Sequence, residues 1–213
     1  MIMRSIQMVL SSLCLLGSLH YVAQAQTPAV QLPKVQRLVD SLFTAQGQVQ
    51  QAITAASADS SRQQLHITYQ ALLQRHQAVL EGMLKEVGFP DETKVGSASS
   101  LRYTLMVAQC KQQPKFQERV LHRMKPLVGK GADPSAYAIL LDQVELAAGR
   151  AQVYGTQLVY EGNEMGRQVR KPLVEPAKVD ERRMAIGLPP LMDYLATQNK
   201  GHQPSNKQPK RVK

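Results

Sequence analysis

Eight polar side chains crowd one short stretch of this chain: Asp142, Gln152, Tyr154, Thr156, Gln157, Asp180, Arg182 and Arg183. Their types point to recognition of a polar or anionic group. An arginine carries a planar fork of donors that matches a carboxylate or phosphate, while hydroxyls and amides both donate and accept. In an extended strand alternate residues share a face, so Gln152, Tyr154 and Thr156 would point one way and Val153, Gly155 and Gln157 the other. Gly155 would let a ligand or a second backbone come close. The same residues also fit an internal role, with Asp142 or Asp180 paired to an arginine and Tyr154 bonded to the main chain. Such a network would fix how a hairpin seats on its neighbouring helices. The candidate binding residues are therefore Asp142, Gln152, Tyr154, Thr156, Gln157, Arg182 and Arg183, and no catalytic residue is assigned.

The elements that must position them are mostly helical. From Pro33 to about Ala56, Val35, Leu38, Val39, Leu42, Val49 and Ile53 recur at helical spacing. Asp59 and Ser60 offer caps for a longer helix through Leu65, Tyr69, Leu72, Leu73, Leu80, Leu84 and Val87, which Gly88-Phe89-Pro90 ends. After a loop through Gly96, Ser97 or Ser99 can cap a helix with Leu101, Leu105 and Met106 inward. Pro114 and Pro134 suit first helical turns, where the missing N–H would be unpaired anyway. The helix after Pro114 buries Phe116, Val120, Leu121, Met124 and Leu127. The one after Pro134 buries Tyr137, Leu140, Leu141 and Val144 and stops at Gly149. Residues 151–160, rich in Val, Tyr, Thr and Leu, read as a strand, 161–166 as a turn and 167–174 as the returning strand. A short helix from Pro176 to Gly187 and a last one after Pro189-Pro190, with Leu191, Tyr194 and Leu195, close the pattern. The fold class is mainly α: a single helical domain over residues 26–199 with one β-hairpin near its C-terminal end.

The five histidines show no H-x-x-x-H or H-E-x-x-H pairing, and no phosphate-binding glycine loop or nucleophile elbow is present. Neither a metal nor a cofactor is expected. Arg4, the apolar run from Ile6 to Val22 and the small-x-small Ala23-Gln24-Ala25 read as a signal peptide over residues 1–25. The apolar run is shorter than the ~20 residues of a membrane span, and Leu13 is not the small residue that lipid attachment at Cys14 requires. The reading is an exported chain, periplasmic or extracellular, that starts at Gln26 and has no transmembrane span after signal removal. Cys110 is then the remaining thiol, so no internal disulfide forms. Its expected role is that of a buried small hydrophobe.

The formal net charge is +10, and the tail from Lys200 to Lys213 carries Lys200, Lys207, Lys210, Arg211 and Lys213 with no acid. Rich in Gln, Pro, Asn and Gly, it has too little apolar surface to repay ordering and is expected to be a disordered basic tail. Contact of this tail with an anionic envelope surface fits its charge. Nucleic acid is not an expected partner, because the chain has no Trp and three Phe and so lacks stacking platforms.

Several blocks, in order, resemble a bacterial family of domains of unknown function, family 6624. Gly88-Phe89-Pro90 with Val95-Gly96 is similar to its G-W-P then V-G segment, and Gln109-Cys110 with Pro114-Lys115-Phe116-Gln117 to its Q-H then F-Q block. Leu141-Asp142-Gln143-Val144, Gly149, Gln152 and Tyr154-Gly155-Thr156-Gln157 resemble its D-R-V, G, Q and Y-G-T-Q run. Val179-Asp180, Arg182-Arg183 and Gly187-Leu188 complete the likeness, which covers about residues 65–195. Two positions depart from it: Cys110 stands where the family has His, and Gln143 where a basic residue is usual. The resemblance implies the helical domain and brings no known activity.

Two functions suit these residues. One is a binding or interaction module that uses the hairpin region 151–183 without catalysis. The other is an enzyme of unrecognised type, with Asp142, Tyr154 and Arg182 or Arg183 around a small anionic substrate. The export reading predicts that intact-mass measurement of the chain secreted by its host finds Gln26 as the first residue. Retention of residues 1–25, or lipid on Cys14, would overturn it.

Overall fold

The computed structural model describes residues 32–160, 167–169 and 172–200; the expected leader, the turn 161–166 and the tail from residue 201 onward lie outside the described residues. The mainly α class read from the periodicities holds: among the described residues eight α-helices are joined by one antiparallel pair of short strands.

Helix α1 (Pro33–Ala55) starts on a proline, and α2 (Asp59–Val87) packs back along it after a three-residue link. Gly88 ends α2 at φ 72°, a conformation that favours glycine. The segment expected to be a loop contains a one-turn helix, α3 (Glu92–Val95). The Asp91 side chain makes that turn possible, accepting from Thr93 N at 3.0 Å and pairing with Lys94 at 3.0 Å. Lys94 also donates to the Phe89 carbonyl at 2.8 Å, tying α3 to the end of α2.

Helix α4 (Ser97–Gln109) is central, in contact with α1, α2, α3, α5 (Pro114–Met124) and α6 (Pro134–Ala147). Its buried side chains include Ser99, Ser100 and Thr104, small enough to let neighbours approach, and Tyr103, Met106 and Val107, which fill the core. Tyr103 meets Phe89 edge-on at 5.9 Å and donates its hydroxyl to the Leu80 carbonyl at 3.0 Å. The last turn of a helix leaves carbonyls unpaired. Here Gln117 of α5 donates to Val107 O at 3.0 Å and Gln143 of α6 to Ala108 O at 2.7 Å. At the other end, Asp40 of α1 accepts from Ser99 Oγ at 2.7 Å and Arg102 Nη1 at 2.8 Å. Burial works against the charge, but these two partners hold the Asp40 carboxyl below its usual range.

Some local expectations need correction. Asp59, Ser60, Ser97 and Ser99 make no capping bond; the cap positions are Ala58 and Gly96, and Ser99 is drawn to Asp40 instead. Leu38 and Leu101, expected inward, are 43% and 37% exposed. The strand expected over 151–160 shrinks to β1 (Leu158–Tyr160), and its partner to β2 (Arg167–Val169), with Leu158 opposite Val169. Residues 151–157 form a loop bonded to the returning chain through Gln152, whose N–H donates to Pro172 O at 2.9 Å and whose carbonyl accepts from Val174 N at 2.8 Å. A 3-10 turn (Pro176–Lys178) leads into α7 (Val179–Ala185), and α8 (Leu191–Gln198) follows after Pro189-Pro190. Among the described residues no helix is long and apolar enough to cross a membrane.

His76 is a titratable group inside this core, 5% exposed with no hydrogen-bond partner for Nδ1. Burial lowers its pKa below the ordinary 6.5. The unfolded chain therefore takes up a proton that the folded chain resists, so the stability this group contributes is present above about pH 6.5 and is lost as pH falls below it. Urea midpoints measured at pH 7.5 and pH 5.5 should differ in that direction, and His76→Leu should narrow the difference. An equal fall in the variant would assign the acid sensitivity to other groups.

Candidate functional site

The crowded polar residues do meet, and they meet on one carboxylate. Asp142 lies on the inner face of α6 with no exposed surface. Its Oδ1 accepts from the main-chain N–H groups of Val153 (2.7 Å) and Tyr154 (2.9 Å). Its Oδ2 accepts from Thr156 N and Thr156 Oγ1, both at 2.8 Å. Three backbone donors converging on one side chain curl the chain, which is why residues 151–157 do not extend as a strand. Gly155, at φ 71°, takes the left-handed turn that this curl demands. The alternation that would set Gln152, Tyr154 and Thr156 on one open face is therefore replaced by a loop in which all three are buried.

The remaining candidates brace this loop. Gln152 accepts from Gln157 N at 2.8 Å through Oε1 and donates to Gln157 O at 3.3 Å through Nε2, closing the loop on itself. Gln157 donates to the Ile139 carbonyl on α6 at 3.1 Å. Arg183, 1% exposed, donates to Tyr154 O and to Pro189 O, each at 2.7 Å, and its guanidinium lies 4.9 Å from the centre of the Tyr194 ring. Tyr194 donates to Thr156 O at 3.3 Å. Arg182 donates to Val153 O at 2.9 Å and to Val174 O, and Asp180 accepts from Leu191 N at 2.7 Å at the start of α8. Neither arginine forms an ion pair among the described residues; the expected pairing with Asp142 or Asp180 gives way to main-chain carbonyls. Burial pushes Arg183 below the usual arginine range, against the pull of Tyr194, Asp180 and Asp142. Burial, then Tyr137 and Asp142, push the Tyr154 phenol up. Tyr154 serves the network with its N–H and C=O, and its ring meets Tyr137 at 6.4 Å.

A cavity of about 210 Å³ touches this assembly through Gln157, with Gln117, Gln143 and Lys111 also on its wall, and reaches neither Asp142 nor the arginines. A wider groove of about 760 Å³ between α2 and α5 carries Lys85, Lys115, Arg123 and His122, with Arg119 paired to Glu81 at 3.3 Å. Cys110 is buried beside the Met106 carbonyl, and burial, then the charge of Glu81, push its thiol up to about 11. At neutral pH it is a thiol rather than a nucleophilic thiolate. Among the described residues no three His, Cys, Asp or Glu side chains are placed to share a metal ion.

The periodicities pass over one polar cluster. The buried residues of α1 are Val39, Gln46 and Ile53, a seven-residue repeat with an amide at its middle. Gln46 donates to Tyr69 Oη at 3.1 Å and to Gln109 Oε1, and the Tyr69 hydroxyl donates to the same Gln109 oxygen at 2.5 Å. The signal was the glutamine interrupting an apolar stripe. Its partners, 23 and 63 residues away, carry no mark in the local pattern.

The geometry of the Asp142 assembly predicts distinct mutational effects. Asp142→Asn and Arg183→Ala leave buried donors or carbonyls unpaired, at a cost of roughly 1–3 kcal/mol for each group stranded. Tyr154→Phe keeps every main-chain bond and should cost under about 1 kcal/mol. Thermal melts of the three variants check this; an equal loss in Tyr154→Phe would give the hydroxyl a structural role.

No curated protein and no solved structure matches the chain. The model of the family of unknown function DUF6624 matches residues 33–202, which span every described helix and strand together with the Asp142 loop. The chain belongs to that family.

Proposed function

We propose that this chain is an exported binding domain without catalysis, in which region 151–183 is the frame that holds the domain in shape. Export rests on the leader features: Arg4, the apolar run and Ala23-Gln24-Ala25. One observation carries the absence of catalysis. The charged side chains of the candidate set are turned onto the fold itself: Asp142 accepts from three backbone N–H groups and one hydroxyl, and Arg182 and Arg183 donate to main-chain carbonyls. A general base needs a free lone pair within reach of its substrate, and an anion clamp needs free guanidinium donors. Arg182 and Arg183 have their main-chain partners already.

The alternative enzyme, acting on a small anionic substrate, makes the opposite demand and so is separable. Differential scanning fluorimetry with millimolar inorganic phosphate, acetate and citrate should leave the melting temperature of the full chain unchanged. A rise with any of these anions that Arg182→Lys removes would overturn the non-catalytic reading and reinstate an anion site at the hairpin.

A further inference from the structure

Where α1, α2 and the end of α4 meet, a cavity of about 640 Å³ opens to the surface, and five of the residues lining it are glutamines: Gln46, Gln50, Gln70, Gln109 and Gln112. Glutamine is a poor choice for a seam between helices, because its amide must be matched by partners once water is excluded. At Gln46 the matching is incomplete. The side chain is 4% exposed, its Nε2 is used twice, and its Oε1 has no hydrogen-bond partner. His76 Nδ1, likewise buried and unpartnered, lies two helical turns from Tyr69 on the same stripe of α2. A buried polar group placed only to set helix register would be expected to find its partner within the seam. Gln46 lines the cavity while its unpartnered acceptor is sealed from solvent, so a turn of the amide toward the opening is what offers that acceptor to a ligand.

The wall chemistry selects the ligand. Among the described residues Lys111 is the one charged residue lining the cavity and no acid lines it, so a strongly charged ligand would find little complement. An amide sets a donor and an acceptor side by side, and a ligand hydroxyl is itself both donor and acceptor. Phe43 and Tyr69 add aromatic rings to the same wall. Such rings cover the apolar C–H face of a sugar ring while the amides take its hydroxyls. The volume is that of an ordinary small-molecule site. We infer that this cavity is a saccharide-binding site for one to a few uncharged sugar units. Gln46 and Gln109 are its central hydrogen-bonding residues and Tyr69 their brace. The inference rests on the binding-domain reading above and supplies the contact surface that the region 151–183 does not.

Saturation-transfer NMR on the full chain tests it, with chitotriose and maltotriose as saccharide probes and tri-alanine as the amide-bearing control. At least one saccharide should receive saturation on its ring protons and tri-alanine none. Gln46→Met and Gln109→Met should each weaken the saccharide at least tenfold. Gln46→Met should change the melting temperature little, because the unpartnered carbonyl goes together with the two bonds that Gln46 Nε2 donates, while the Tyr69–Gln109 bond stays. Saturation of neither saccharide, binding of tri-alanine in their place, or a drop of several degrees in Gln46→Met would overturn the site. The two readings fail separately. Saccharide silence without anion-induced stabilisation removes the cavity site and leaves the non-catalytic domain. Anion binding lost in Arg182→Lys removes the latter whatever the saccharides do.

Discussion

A carboxylate sealed inside a protein must find donors, and Asp142 finds them in the chain that follows its own helix. The cost of burying an unpaired carboxylate is several kcal/mol, so the backbone at residues 153–156 has little freedom once α6 is packed. Everything after α6 inherits that geometry. The curl around Asp142 turns the Tyr154 carbonyl toward Arg183 and the Thr156 carbonyl toward Tyr194. Through them α7 and α8 are anchored to a loop formed around a residue of α6.

The two arginines show how the same side chain serves the fold when carbonyls replace acids. A guanidinium with several donors can bridge main-chain oxygens from segments that pair through no more than an isolated bridge, as at Gln152 and Leu173. Arg182 joins residue 153 to residue 174, and Arg183 joins 154 to 189. These bridges do what a longer hairpin would do by ladder hydrogen bonds. That is consistent with β1 and β2 holding three residues each. Lysine, with one compact ammonium, has no planar fork to span such pairs.

The helices were legible because their signals are local: apolar residues at a 3.6 period, and prolines at their starts. In the structure Asp133 adds a cap to α6, accepting from Ala136 N at 2.7 Å. The strand over 151–157 was misread because Val153, Tyr154 and Thr156 favour extended backbone by propensity, while the deciding partner, Asp142, stands eleven residues or more upstream. The crowding of polar residues near Asp142 was visible in the sequence, whereas their engagement with main-chain atoms rather than with each other was not. Residue types reveal side chains and say nothing of which carbonyl lies at hand. The Gln46–Tyr69–Gln109 cluster escaped for the same reason, since three helices must pack before it exists.

The polar joints inside this domain are made largely from amides, hydroxyls and main-chain groups: Gln117 and Gln143 on the end of α4, Gln152 on Gln157, and Tyr103 on Leu80. Several ion pairs lie nearer the surface, as with Arg62–Asp59 and Lys178–Glu175, while Lys94–Asp91 is more sealed. Dissolved salt screens attraction between exposed charges over a Debye length of about 8–10 Å, but it has little purchase on short buried contacts to main-chain groups. The joints that shape the architecture are thereby ones on which ionic strength acts weakly.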